Sequence, residues 1–343
     1  MFGKISIRNI PIEIWSGLEV LAKKNERSTE AEARYALRSW VTPEIQRNER
    51  SARRNEVSTR LREALDKINQ VPGSLGIKPS HIAQEIDEDY AEKVENWFTG
   101  EEEPPLKKLE AIANYLGCSS PWLIHGGNHI FTVKSAGRSV IPDDPAKCVA
   151  WLVDLNEKEK VEHLYLVREA NEAGVLMVVK KYKKWHCKTY ITAYHVSEVT
   201  GNGGKSALAH FSVSLELLYN LKNMPSVTSH LLSPAEFKAL HEGSIHPLVL
   251  LNHSNKSTWW EDFWDESQFI KCEYWQGWKA VCEGTFKSVQ RTKYLQEVRD
   301  LIREGKYKYP TEAIMDKIED LELNALADAR ENERITKVRL NDL

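Results

Sequence analysis

The 343-residue sequence lacks any long apolar run, and this absence bounds where the protein can act. No stretch approaches the roughly 20 apolar residues that a helix needs to cross a bilayer. The chain also does not open with the charged and apolar pattern of a secretory signal. We therefore expect a cytoplasmic protein with no membrane partner.

Cysteine is scarce, which argues against covalent or thiolate-based stabilisation. The five cysteines are an odd number, and no two of them form a CxxC pair. Disulfide frameworks use even numbers, and cysteine-rich zinc sites use closely spaced pairs. Free thiols in a reducing compartment are the interpretation that fits both observations.

Short catalytic and metal-binding motifs are missing as well. The sequence contains no HExxH, HxE…CxxC, GxSxG or DxDxDG pattern. His241 and His246 lie five residues apart around a glycine, which is poor ligand geometry for a helix. GGKS at 203–206 would need a glycine at Val199 to form a phosphate loop, so we predict a hairpin turn at 200–206. We expect no enzyme, no catalytic residue, no metal and no cofactor.

The charge that is present is unevenly distributed. Residues 1–54 hold 11 Lys/Arg and 7 Asp/Glu, whereas residues 71–127 hold 4 Lys/Arg and 10 Asp/Glu. The net charge of the whole chain, −3, conceals this contrast. Neighbouring segments of opposite sign indicate two modules with different partners.

The first residues have the pattern of a two-faced strand followed by two helices. Ile5 and Ile7 alternate with Lys4, Ser6 and Arg8, and a proline at 11 ends the strand. Apolar spacing then predicts a helix from residue 12 to residue 22. A second helix is predicted to begin at Ser28 or Thr29, with Thr29 and Glu32 at capping-box spacing, and to end at Pro43.

About 40 residues of this kind cannot bury enough apolar surface alone, and a single strand has no partner. Two copies solve both problems, because their strands pair antiparallel and four helices close a core beneath. The polar strand faces are then left outward as a two-stranded ribbon. Such a ribbon fits the major groove of B-DNA.

The segments ISIRNIP and KKNERSTEAEARYAL resemble the ribbon-helix-helix family of the Arc and MetJ repressors, and most of all its FitA-antitoxin branch. The resemblance covers residues 2–42, and we assign a module to 1–43. It implies double-stranded DNA and a second copy as partners. It also implies that Lys4, Ser6 and Arg8 face base edges, and that Arg27, Ser28 and Thr29 contact phosphate. The alternative is an edge strand with solvated polar residues.

A second module is predicted after an Arg-rich linker at 44–57. Residues 58–127 read as short helices, and WFTG, LEAIANYLG and WLIHG resemble the Cro/lambda-repressor-type helix-turn-helix family. The resemblance implies that residues 89–98 enter the major groove. We predict a helix cap at Ser80, and the candidate DNA contacts are Ser80, Tyr90, Lys93 and Asn96. Because this module is acidic, the alternative is a scaffold that docks on another protein or on the basic neighbour in its own chain.

Residues 146–343 are predicted to form an α+β domain with an antiparallel sheet. We predict a helix at 156–172 ending before Gly174, strands at 175–185, 188–199 and 207–219, and helices at 287–304 and 311–338. Five tryptophans between 259 and 278 indicate core or dimer packing, or else a stacking pocket. No family resemblance covers this part.

Taken together, these features predict an α+β, homodimeric, sequence-specific DNA-binding transcriptional regulator associated with the nucleoid. It would act as a repressor, carried by a mobile element or resembling an antitoxin. The C-terminal domain would bind a small molecule or a protein. The alternatives are a DNA-targeted effector or enzyme with its activity in residues 128–343, and a DNA-organising or partition protein.

Overall fold

The computed structural model describes residues 7–74, 76–127, 129–136, 144–154, 159–221 and 224–307, and it leaves out the side chains of 42–51. The fold is α+β, as predicted, with helices along the chain and one mixed sheet of six strands.

Two helices dominate the N-terminal region, α1 (Ile12–Lys24) and α2 (Thr29–Asn69). As predicted, α2 begins after Ser28, whose side chain accepts a hydrogen bond from the Ala31 amide. The predicted end at Pro43 is wrong, because α2 continues to Asn69. The whole helix has 41 residues and a length of about 60 Å. Residues 44–57, the predicted linker, therefore lie within this helix.

The continuation of α2 past Pro43 has two physical causes that offset the cost of the proline. That cost is ~3 kcal/mol, because a proline removes one backbone donor and strains one turn. The residues that follow it are rich in Glu, Gln and Arg, which favour helix. Beyond them, Val57, Leu61, Ala64 and Ile68 lie on one face of α2 and are fully buried, so packing holds the far end in helical form.

Four short helices pack against the C-terminal half of α2. They are α3 (Pro79–Glu85), α4 (Ala91–Thr99), α5 (Leu106–Leu116) and α6 (Ser120–His125). Gly100 and Gly117 end α4 and α5 in the left-handed conformation, with φ of 84° and 69°. The predicted cap at Ser80 is wrong: α3 begins at Pro79, and the amide of the preceding Lys78 donates to His81 Nδ1.

The remaining elements build the sheet and its covering helices. In chain order they are β1 (Val133–Ala136), α7 (Pro145–Leu152), β2 (His163–Glu169), β3 (Val175–Lys181), β4 (Cys187–His195), α8 (Asn202–Tyr219), β5 (Ser226–Leu232), α9 (Pro234–His241), α10 (Pro247–His253), β6 (Lys256–Ser257), α11 (Trp259–Asp262), α12 (Glu266–Phe269), α13 (Trp278–Arg291) and α14 (Lys293–Arg303).

The sheet is mixed, so the predicted all-antiparallel arrangement is wrong. The strand order is β1-β4-β3-β2-β5-β6, in which β2, β3 and β4 form an antiparallel meander. β1 pairs parallel with β4, and β5 pairs parallel with β2. Parallel pairing requires a crossover, and α8 supplies the one between β4 and β5.

Two predicted elements have the opposite secondary structure: one predicted helix is a strand, and one predicted strand is a helix. The predicted helix at 156–172 contains strand β2, which is central and packed on both faces, so its sequence lacks the alternation of a half-buried strand. The predicted strand at 207–219 belongs to α8, in which residues 208, 209, 211–218 are all buried. A helix enclosed on every side loses its helical periodicity. The predicted hairpin turn at 200–206 is wrong because this segment begins α8.

Helices cover both sheet faces. The face toward α7, α8, α13 and α14 builds the largest core, in which Trp259, Trp260 and Trp278 are buried, and this confirms core packing for the tryptophan-rich segment. The opposite face packs on α9 and α10 and on the helical bundle around α2. Inside the largest core, Glu216 Oε2 lies 2.7 Å from Arg299 Nε, and both residues are almost fully buried.

Candidate nucleic-acid interface

The predicted ribbon lies at the edge of the described residues. Lys4 and Ser6, and the pairing of their strand, lie outside them. Arg8 is described and exposed, and the adjacent Asn9 has a φ of 57°. A left-handed residue at this point changes the direction of the chain just before α1.

The turn between α1 and α2 is held by a buried carboxylate. Glu32 is 5% exposed, and its oxygens accept from Asn25 Nδ2 at 2.9 Å and from Arg27 Nη1 at 3.3 Å. The Arg27 guanidinium also lies over the Tyr35 ring, 4.3 Å from its centroid. Sequence reasoning assigned Arg27 to phosphate and Glu32 to a capping box. The structure instead joins the two residues within the turn.

The start of α2 remains open to solvent. Ser28 is exposed and Thr29 is half-buried, so the first amides of a long helix face outward. Unpaired amides and the helix dipole make such an end favourable for an anion. The predicted phosphate contacts at Ser28 and Thr29 are compatible with this geometry.

Apolar side chains of α1 and α2 are exposed to an unusual degree. Among residues 7–41, Ala22 is the one apolar side chain that a single chain buries. Large apolar residues of the predicted inner faces stay in solvent, including Trp40 at 78% and Ile14 at 58% exposure. Others in this group are Trp15, Leu21 and Leu37. Large apolar side chains exposed in such number commonly mark a surface that a partner covers.

The predicted helix-turn-helix contact residues, on and next to α3 and α4, differ in solvent exposure and in charge pairing. Ser80 and Tyr90 are exposed, and Asn96 is half-buried. Lys93 Nζ lies 2.7 Å from Glu88, whose pKa is lowered by hydrogen bonds from Lys93 and Lys108. The Lys93 charge is thus already paired. Exposed carboxylates at Glu85, Glu92 and Glu95 surround the same surface.

Basic side chains of α2 bind the acidic module from within the chain. Arg53 Nε lies 2.6 Å from Glu103, and Arg54 Nη1 donates to the Glu101 carbonyl at 3.0 Å. Arg60 Nε donates to the Leu123 carbonyl at 2.9 Å. This is the intrachain docking that the sequence left open as an alternative. It occupies two of the arginines from the predicted linker.

Comparison with known proteins bears on the N-terminal region. Residues 4–41 match the family model described as "Antitoxin FitA-like, ribbon-helix-helix". This match supports a ribbon-helix-helix domain at the start of the chain. No curated protein and no solved structure matches the chain. Among the described residues, no helix is long and apolar enough to span a membrane.

Proposed function

We propose that the protein is a homodimeric, sequence-specific DNA-binding regulator of the repressor type. The observation that carries the proposal is the exposed apolar surface of α1 and α2, which lies in the region that matches the ribbon-helix-helix model. A second copy would cover this surface. Burial of each large apolar side chain contributes about 1.5–3 kcal/mol, so a handful per chain is enough for a stable dimer.

DNA is read, in this proposal, by the paired N-terminal strands. Lys4, Ser6 and Arg8 of each chain enter the major groove, and the amides at Ser28 and Thr29 hold the flanking phosphates. Arg8 supplies the main base contact, because its planar fork matches guanine O6 and N7. Its exposure to solvent supports this role.

The bundle around α3–α6 has, in this proposal, a different part. Its acidic turn binds Arg53 and Arg54, and its Lys93 is paired with Glu88, so phosphate attraction is weak. We propose that it joins the ribbon-helix-helix domain to the C-terminal domain. Base contact by Ser80, Tyr90 or Asn96 is the second candidate, which the exposure of Tyr90 favours.

The C-terminal domain is proposed to sense a small molecule or a protein partner, and the chain to act without catalysis, metal or cofactor. A DNA-organising protein would coat long stretches of DNA. A repressor protects a discrete operator, so the length of a footprint separates the two.

The decisive experiment is Arg8→Ala, with Arg34→Ala as the matched control. Arg34 is an exposed arginine of the same domain that lies on α2 beside Glu30. Each lost base contact costs about 1–3 kcal/mol, so two copies should weaken specific binding by roughly 30-fold or more. Titration of selected and scrambled DNA at several salt concentrations measures this loss. Equal loss on both DNAs with a smaller salt slope would restrict Arg8 to phosphate, and no loss would remove the ribbon from the interface.

A further inference from the structure

A cluster of polar side chains crosses two neighbouring strands of the sheet, outside every site discussed so far. His163 and Tyr165 lie on β2, and Thr228 and His230 lie on β5, which pairs parallel with β2. Positions two apart on a strand share one face, so all four side chains lie on the sheet face opposite the tryptophan core. No sequence motif marks them, because the residues come from two strands 65 positions apart.

The four contacts in this cluster form one continuous chain. His163 Nε2 lies 2.9 Å from Thr228 Oγ1, and the same oxygen lies 3.1 Å from His230 Nε2. His230 Nδ1 lies 2.7 Å from Ser254 Oγ, which donates to the Leu251 carbonyl at 3.1 Å.

The carbonyl at the inner end fixes the direction of every proton. A carbonyl can only accept, so Ser254 donates to Leu251 and must accept from His230 Nδ1–H. His230 is then left with a lone pair on Nε2, which accepts from the Thr228 hydroxyl. Thr228 in turn accepts from His163 Nε2–H. The opposite direction would place two acceptors against each other at Leu251.

The outer end of the chain is therefore the lone pair of His163 Nδ1. Among the described residues, this nitrogen has no hydrogen-bond partner, whereas Nε2 is engaged. The ring stacks on Tyr165, with centroids 4.1 Å apart, and is half-buried, so its orientation is fixed while one edge stays accessible. Protonation of Nδ1 would keep all four hydrogen bonds and create one outward donor.

The charges around His163 favour an anion. Burial, together with the smaller effect of the positive charge of Lys256 on β6, lowers the pKa of both histidines to about 4. Lys181 on β3 acts in the same direction on His163, although its Nζ also binds Glu162. Burial raises the pKa of Tyr165 and Cys187 to about 12, so both are neutral.

We propose that the outer end of this hydrogen-bond chain, which runs from His163 to Ser254, binds the phosphate group of a small phosphorylated molecule, with His163 taking up a proton as the anion binds. The negative charge of the bound phosphate stabilises the protonated, positively charged form of His163. The imidazolium then donates through Nδ1, and Lys256 and Lys181 supply the other cationic contacts. The proton comes from solvent, and no covalent bond changes.

This inference gives a ligand class to the sensing role proposed for the C-terminal domain, and it rests on that role for its biological meaning alone. Binding is measured without DNA, and the Arg8 experiment is done without ligand. Failure of one experiment therefore does not imply failure of the other.

The test uses the full chain, with ribose 5-phosphate and inorganic phosphate as probes. Imidazole titrations by nuclear magnetic resonance should show the pKa of His163 rising by about one unit or more when either probe binds. The control is His195, an exposed histidine of β4, which should not respond. Calorimetry at pH 5 in buffers of different ionisation enthalpy should report uptake of roughly 0.4 proton per chain, which is what a pKa rising from about 4 to about 5 gives.

Variants separate the site from general attraction. His163→Gln and Lys256→Gln should each weaken ribose 5-phosphate binding about tenfold or more, whereas Lys184→Gln, an exposed lysine elsewhere on this domain, should not. Thr228→Val should reduce proton uptake, because His163 loses its acceptor, and circular dichroism checks that it folds. Unchanged titration of His163, an equal response of His195, or binding of an unphosphorylated 12-nucleotide single strand in place of the monoester would overturn the proposal.

Discussion

The first 35 described residues and the rest of the chain solve the problem of burial in opposite ways. Residues 7–41 bury one apolar side chain, Ala22, and expose most of the others. Residues 57–302 build three clusters of buried side chains around α2, the sheet and the tryptophan-rich segment. The second region buries its core within one chain, whereas the apolar surface of the first has no partner among the described residues.

The difference teaches where association energy resides. A helix pair that exposes its apolar faces gains stability mainly when a partner covers them. The described C-terminal region buries most of its large apolar side chains within one chain, so we expect substitutions at its proposed ligand site to leave association unchanged. Substitutions in the first region should therefore change association, and substitutions in the second should change the free energy of unfolding of a single chain.

The largest effect should come from Leu37→Glu, which places a charge on the exposed apolar face of α2. Each chain would lose about 1.5–3 kcal/mol of burial, so a dimer would lose about twice that, or at least 100-fold in its dissociation constant. Sedimentation velocity over a concentration series measures it. Ile270→Glu, an exposed apolar position of the C-terminal region, should leave association unchanged. A dimer that tolerates Leu37→Glu would contradict the proposed surface.

The second prediction concerns the buried ion triad between α8 and α14. Glu216 lies 2.7 Å from both Arg299 Nε and Arg303 Nε, and Arg299 is 2% exposed. Glu216→Gln leaves a buried guanidinium without its counter-charge, and we expect a loss of about 3–5 kcal/mol. Urea unfolding measures this loss. The matched control is Glu297→Gln, which breaks an exposed helical pair and should cost less than about 0.5 kcal/mol.

The third prediction concerns acid stability of the C-terminal region. His246 is 2% exposed, and burial lowers its pKa from 6.5 to about 4. Below pH 6.5 the unfolded chain binds a proton that the folded chain refuses until about pH 4, so stability falls as the pH drops through this window. We expect a loss on the order of 2 kcal/mol from this residue between pH 7 and pH 4.5.

His246→Asn should remove that loss and keep the cap of α10, because the His246 ring accepts from the Leu248 amide and asparagine can do the same. Urea unfolding at both pH values compares it with His195→Asn, a substitution at an exposed position. An identical pH dependence in wild type and His246→Asn would mean that other groups cause the acid loss.

The smallest effect is expected at the cap of α2. Ser28→Ala removes the acceptor of the Ala31 amide and should cost about 1 kcal/mol. Thermal unfolding of the dimer measures it, with Ser39→Ala on the exposed part of α2 as control. Because this region is proposed to fold with its partner, the unfolding temperature of wild type and variant should rise with protein concentration. An unfolding temperature of the helix pair that is independent of concentration would show that it folds without a second copy.

Sequence reasoning succeeded where local signals dominate. The start of α2 after Ser28 follows from residue chemistry alone, and the strands predicted at 175–185 and 188–199 appear with different bounds as β3 (Val175–Lys181) and β4 (Cys187–His195). It failed where tertiary burial removes periodicity, as in β2 and α8. Intrachain docking of the acidic module was open as an alternative, but the pairing of Arg53 with Glu103 and the histidine chain could not be predicted, since both join residues distant in sequence.

The continuity of α2 has a consequence for how the chain tolerates changes in length. One helix carries the predicted ribbon-helix-helix core at its start and the bundle core from Val57 onward, so its two ends share one axis. Every residue added between them advances the far end by about 1.5 Å and rotates it by about 100°. Seven extra residues make almost two full turns and keep the azimuth of the two ends, whereas two extra residues point them to nearly opposite sides. The effect of an insertion on the relative orientation of the two modules therefore repeats with the period of the α-helix.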